Sequence, residues 1–355
     1  MLFRSTVQVI DFRYHLVSIV AVFLALAIGI VLGSTELQGS VIDVLRAANN
    51  SLTNQRNAAS AQRDGFEQQA NASDTFLQTA EPKLLNAMLA GDKVVLVTEP
   101  GAPSAVINGI EKAAGYAGAT VTGTVALQPK FNDLSGATRS SLAAINTALA
   151  TTDGTVLAPA ADQQTAYQQE AAELISTAVL NQADGESGLT GAQAQSLLGE
   201  YAKGGYLTVS GTPWDRATLA VIVAPQTAPA DGPNDPANQV LLAAAGQFAT
   251  ASAATLVAGP AASSASSASA ISVLRGSSVS SQVSSVDNAD GRLGQISVIW
   301  ALANQLAGEK PNSYGISGAS AVSPVPLPVP SDTPTVPGTP TPKATGKVKK
   351  AVNTK

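Results

Sequence analysis

Residues Leu16 to Leu32 read LVSIVAVFLALAIGIVL, a run without charge in which Ser18 is the one polar side chain. As a helix it rises about 26 Å, just under the roughly 30 Å hydrocarbon core of a bilayer, and Gly33 and Ser34 extend it. A secretory signal has a shorter apolar region, about 7–15 residues, ending in a small-x-small cleavage site. Val31 and Gly33 match such a site poorly. The run therefore reads as a transmembrane helix or uncleaved signal anchor over 16–34, with a cleaved signal or a buried core helix as alternatives. Arg4 and Arg13 precede it while Glu36 and Asp43 follow. The positive-inside rule then puts residues 1–15 in the cytoplasm and the bulk of the chain outside. Ala21, Ala25, Gly29 and Gly33 recur every fourth residue, and Gly29–Gly33 is a GxxxG. A stripe of small residues lets two helix backbones approach closely in lipid, which makes it a candidate pairing face. Chance recurrence in a span rich in Ala and Gly is the alternative.

Residues 35–90 read as a helical spacer. The stretch 36–80 is rich in Gln, Asn and Ala, lacks Pro and holds only Gly39 and Gly65. Apolar residues follow a loose heptad at Val41, Leu45, Ala48, Leu52, Ala59, Phe66, Phe76 and Ala80, with Gln55, Gln62 and Gln69 at other seam positions. That pattern predicts a helix with an imperfect coiled-coil seam, up to about 65 Å long if continuous. A solvated helix folding back on the next domain is the alternative. Pro82 is expected to break or kink it.

From 91 to 310 short apolar runs alternate with helical stretches. KVVLVTEP, ATVTGTVAL, YLTV, TLAVIVAP, TLVAGP and AISVLRG read as strands. Helices are expected at 103–117, 135–150, 162–181, 190–202, 236–252 and 291–307. Strands separated by helices imply parallel βαβ units and a sheet covered on both faces, an α/β sandwich. AASSASSASA reads as an Ala-rich helix or a loop. Residues 311–355 are Pro/Thr-rich and then Lys-rich, with too little apolar surface to offset ordering entropy, so a disordered tail is expected. The tail carries five Lys against one Asp, so the net charge of −5 divides into +4 there and −9 elsewhere. If outside the cell, the tail could touch anionic cell-wall polymers; a solvated end without a partner is the alternative. An acidic body without a long basic face is a poor fit for nucleic acid.

Residues with catalytic chemistry are few. There is no Cys, which excludes disulfides, thiolate metal sites and Cys nucleophiles. His15, the single histidine, abuts the apolar run, so the outer domain has no His for a Ser-His-Asp arrangement. No S-x-x-K pair or Gly-rich phosphate loop occurs in the segment expected to be ordered, and Met88 reads as core. No catalytic residues, protein metal ligands or cofactor are assigned, and the chain reads as a non-enzyme. One segment stands apart. TEPGAPS, residues 98–104, lies at the carboxyl end of an expected strand and opens a helix, where α/β folds bind ligands. Glu99, Gly101 and Ser104 are its candidate ligand residues, against the simpler reading of a plain connector.

Two stretches carry a resemblance. DFRYHLVSIVAVFLALAIGIVLGS, residues 11–34, resembles the N-terminal signature of the actinobacterial copper transport protein family MctB. VSSVDNADGRLGQISVIWALANQLAGEKPNSYGI resembles the C-terminal segment of that family, with Asp287, Gly291, Arg292 and the Tyr314–Gly315 pair in matching places. The resemblance covers about residues 11–316. It implies an envelope protein of copper efflux or homeostasis, described for the family as an outer-membrane, pore-associated protein, with copper as a transported ion. A β-barrel would need many alternating strands and aromatic girdles; this chain would have to form a pore by oligomerising through its transmembrane and coil segments, or by a noncanonical assembly. A non-transporting, membrane-anchored α/β scaffold or binding module of the envelope is the alternative. A periplasmic binding or catalytic domain would require a pocket beside Glu99–Ser104.

Overall fold

A computed structural model of the chain describes residues 12–153, 157, 164–181 and 189–317. It divides into two compact units, Met1–Ser73 and Asp74–Lys355. The tail expected to be disordered over 311–355 is not so at its start: residues 311–317 are described and include a short strand, Ser313–Tyr314, paired in the sheet, while residues 318–355 and those before Phe12 lie outside the described residues.

The first unit consists of the larger part of helix α1 (Phe12–Leu85). Phe12–Gly33 is long and apolar enough to cross a membrane, with a mean hydropathy of 2.9 and no residue buried within the chain. Beyond it Ile42, Leu45, Leu52 and Phe66 are exposed, and the polar faces carry exposed pairs such as Arg46–Asp43. Pairs this exposed contribute little.

In the second unit α1 continues through Pro82 to Leu85, one turn further than the expected break. Its last turns seat Leu77, Leu85 and the carboxylate of Glu81 against the α/β body. The elements that follow are β1 (Lys93–Thr98), α2 (Ser104–Tyr116), β2 (Thr120–Leu127), α3 (Gly136–Asp153), α4 (Ala166–Val179), α5 (Gly191–Lys203), β3 (Leu207–Gly211) and β4 (Leu219–Val223). Then come α6 (Pro236–Ala251), β5 (Ala254–Ala258), α7 (Ala270–Arg275), β6 (Ser284–Val286), α8 (Arg292–Leu306) and β7 (Ser313–Tyr314).

The strands form one sheet in the order β3-β2-β1-β4-β5-β6-β7, parallel except where β3 runs against β2. Central strands read as continuous apolar runs because both faces are covered. Val95 and Val97 of β1 face a core built with α3 to α7, while Val94 and Leu96 face one built with α1, α2 and α8. In β4, Ala220 and Ile222 take the first face and Leu219, Val221 and Val223 the second.

AISVLRG is not a strand as the sequence predicts; it is α7. A six-residue apolar run does not separate the two periods, and here Ala270, Ile271 and Leu274 share one buried helical face. The neighbouring strand is instead Ser284–Val286, hidden in the sequence by its two serines. Their burial is supported by Gln305 Nε2 donating to Ser284 Oγ (2.7 Å) and Arg275 Nε donating to Ser285 Oγ (3.0 Å). AASSASSASA contains a 3-10 turn, Ala261–Ser264, and leads into α7.

The connections β4-α6-β5 and β5-α7-β6 step across the sheet with their helices on one face. The connection β6-α8-β7 steps the same way with α8 on the other face, so it has the opposite hand. Such crossovers are rare, and this one is held by side chains. Asp287, fully buried after β6, accepts from Arg275 Nη1 (2.9 Å), from the Ile316 amide (2.7 Å) and from the Ser317 amide (3.2 Å). Arg275 also donates to the Tyr314 carbonyl at 2.8 Å.

Candidate functional site

The order of the strands places one switch point in the sheet. β1 leads leftward to β2, whereas β4, on the other side of β1, leads rightward to β5. The loops leaving β1 and β4 therefore diverge at their carboxyl ends and open a crevice between them.

Glu99 sits at this point, directly after β1. Its amide donates to the Val223 carbonyl of β4 (3.0 Å), and its carbonyl accepts from the Ala102 amide (3.0 Å). Between them Pro100 and Gly101, with φ of 88°, supply the sequence and the backbone sign of a type II turn. The turn holds the Glu99 side chain 96% buried against a cavity of about 340 Å³. Pro100, Pro129, Pro225 and Pro229 form much of its wall, closed by Leu241 of α6 and Ala270 of α7. The wall is fixed by Asn238, whose Nδ2 donates to the Ala268 carbonyl (2.9 Å) and the Pro233 carbonyl (3.3 Å). Asp235 caps α6 by accepting from the Ala237 amide at 2.9 Å.

The polar side chains lining the cavity are Glu99, Asn132, Thr227 and Asn238. Asn132, at the end of the 3-10 turn Pro129–Asn132, donates from Nδ2 to Glu99 Oε2 at 3.4 Å. Glu99 Oε1 and Asn132 Oδ1 are buried without a hydrogen-bond partner. Burial in this apolar setting pushes the Glu99 carboxyl from its ordinary 4.5 up to about 7, and the Asn132 hydrogen bond only partly opposes it. At neutral pH the group therefore stands between its two protonation states.

Of the three candidate ligand residues, Glu99 alone lines the cavity. Gly101 serves the turn, and a Cβ there would meet Pro225 Cβ at 3.6 Å. Ser104 is exposed at the first position of α2. Sequence reasoning missed Asn132, Asn238 and the proline walls, although a signal for the walls was present. Four parallel strands end two residues before a proline, at Pro100, Pro129, Pro225 and Pro260, and the first three border the cavity. Proline stops the ladder there because it has no N–H to donate.

The stripe Ala21, Ala25, Gly29 and Gly33 is exposed along its length, and a Cβ added at Gly29 or Gly33 would meet nothing within 4 Å. Among the described residues no group of three or more His, Cys, Asp or Glu side chains is placed to hold a metal ion.

The C-terminal motif residues lie away from the cavity and hold the fold. Besides the Asp287 contacts, Gly315 adopts φ of 134°, and a Cβ there would lie 2.0 Å from Asp287 Oδ1. Gly291 precedes α8 as its cap. Arg292 donates to the buried Glu81 (3.1 Å) and to Asp74 (3.2 Å), tying the end of α1 to α8.

Comparison with known proteins places these features in a family context. The family model described as "Copper transport outer membrane protein, MctB" matches residues 9–326. The copper transporter MctB of Mycobacterium tuberculosis (strain ATCC 25618 / H37Rv) is 30% identical over 318 residues, covering 88% of this chain and 98% of that protein. The Mycobacterium bovis protein of the same name matches equally. That of Mycobacterium leprae (strain TN) is 27% identical over 322 residues, covering 88% and 99%.

Proposed function

The chain belongs to the MctB family of copper transport outer membrane proteins, and from that premise we propose that it serves copper efflux at the cell envelope, anchored by α1 with its α/β unit on the extracytoplasmic side. The observation that carries this reading is the span of the similarity, which takes in the apolar stretch, the rest of α1 and the α/β unit as one match. Support for the anchor comes from the 22 residues Phe12–Gly33, apolar and unburied by the rest of the chain. The orientation rests on Arg4 and Arg13 before the stretch and Glu36 and Asp43 after it. Copper is cargo here, and no residue is assigned as its ligand.

Self-association belongs to the same proposal. Among the described residues one helix per copy is long and apolar enough to span a membrane, and a single helix encloses no pore, so a pore would be assembled from several copies. The exposed small-residue stripe and the exposed Ile42, Leu45, Leu52 and Phe66 supply apolar faces for it. The Lys-rich tail would contact anionic wall polymers. The second reading is a non-transporting anchored scaffold, which the same exposed faces favour. Growth on copper separates the two. A deletion strain is expected to be copper-sensitive, rescued by the whole chain and not by a version lacking residues 1–34. Equal copper tolerance with and without the gene would leave only the scaffold.

A further inference from the structure

We propose that the crevice at the β1/β4 switch point is a binding site for a small primary ammonium compound with a compact apolar body, its head held by Glu99 Oε1 and Asn132 Oδ1. The inference does not rest on the copper reading. It begins from two unsatisfied atoms. Both belong to one cluster, both are buried without a partner, and both are acceptors when Glu99 is ionised. An occupant that satisfies them must bring hydrogen-bond donors, and an ammonium group brings three, with no acceptor of its own. Its charge also offsets that of a carboxylate which Asn132 alone supports.

Other occupants fit less well. An anion would face the Glu99 carboxylate, and the nearby N-terminus of α6 is already engaged by Asp235 through the Ala237 amide. A metal ion would find one carboxylate, the Thr227 hydroxyl and two side-chain amides in the lining, with a single charged ligand and fewer than the roughly six to eight oxygens that hard cations such as calcium take. A wholly apolar ligand would fill the proline-walled space and leave both acceptors unsatisfied. The body of the ligand is limited by the cavity, whose 340 Å³ lies at the small end for ligand sites.

Binding should depend on pH, because an ammonium group is held by the ionised carboxylate. Glu99 is the one titratable group among the lining residues. Of the charged groups on the flanking segments, Asp231 is exposed beyond Pro229, and the others are engaged elsewhere. Asp133 accepts from Thr138 and Ser135, Lys130 donates to the Gly204 carbonyl, and Asp235 caps α6. With burial holding the Glu99 carboxyl near 7, affinity is expected to be about tenfold weaker at pH 6 than at pH 8.

The test uses the full chain in detergent micelles, with isobutylammonium as probe and isobutanol and isovalerate as controls, followed by ligand-observed NMR titration. The expected result is saturable binding of isobutylammonium at pH 8 that weakens about tenfold at pH 6. Glu99→Gln should lose at least that much at pH 8, and Leu241→Trp, which fills the cavity, should also lose it. Melting of Glu99→Gln at or above the wild-type temperature certifies that the fold persists. Equal binding by Glu99→Gln, or binding no better than that of the two controls, overturns the proposal. So does failure of linear, branched and aromatic primary amines alike to bind at millimolar concentration.

Discussion

Replacing Glu99 by Gln tests whether the carboxyl is buried as described, and it does so without any ligand. Burial raises the carboxyl from 4.5 to about 7 in the folded chain, so the folded state holds this proton more tightly than the unfolded state. The stability this contributes is fully present below about pH 4.5 and is lost as pH rises through 7. Between pH 5 and pH 8 the loss comes to roughly 2–3 kcal/mol. Gln keeps the shape and the contact with Asn132 but has no proton to lose, so the other titrating groups cancel when the two proteins are compared. The melting temperature of Glu99→Gln minus that of wild type should therefore be larger at pH 8 than at pH 5. For a domain of this size the increase is roughly 5–10 °C. Thermal melts of both full-length proteins at the two pH values measure it. A difference that does not change with pH, or a variant less stable than wild type at pH 8, would refute the burial argument.

Two further outcomes follow from the packing and the stripe. Asp287→Ala removes the counter-charge of the buried Arg275 guanidinium, which keeps its bonds to Ser285, Tyr314 and Ser317, leaves the Ile316 and Ser317 amides without their acceptor, and should cost about 3–5 kcal/mol in denaturant unfolding. A loss below 1 kcal/mol would mean that the β7 segment is held by something else. Gly29→Leu or Gly33→Leu should weaken self-association in micelles on the order of tenfold, read by cross-linking yield against protein concentration. An unchanged yield would remove the stripe from the proposal.

Much of the fold was legible because the central strands are covered on both faces. Val94 to Val97 and Leu219 to Val223 have no solvent side to interrupt their apolar runs, so they declare themselves. The strands beyond β5 did not. Ser284 and Ser285 pair between β5 and β7, their buried hydroxyls held by Gln305 and Arg275 from the flanking helices, a context no local pattern carries. For the same reason Ile271 and Leu274 read as a strand until their helical neighbours are known. At the candidate site, Glu99 was legible from its position after a strand. Asn132 was not, because its relation to Glu99 exists only once β2 lies beside β1. The C-terminal motif was legible as a family mark, while its work emerged only from the contacts of Asp287 and Arg292. Gly315 is required there because the Asp287 carboxylate occupies the place of its missing side chain.

The most direct test of the central claim is the copper content of cells. At a fixed external copper concentration, elemental mass spectrometry on wild-type, deletion and complemented strains should show copper raised in the deletion strain. The intact gene should restore the wild-type level, and the version lacking residues 1–34 should not. Equal copper in all of the strains would contradict a role in copper transport.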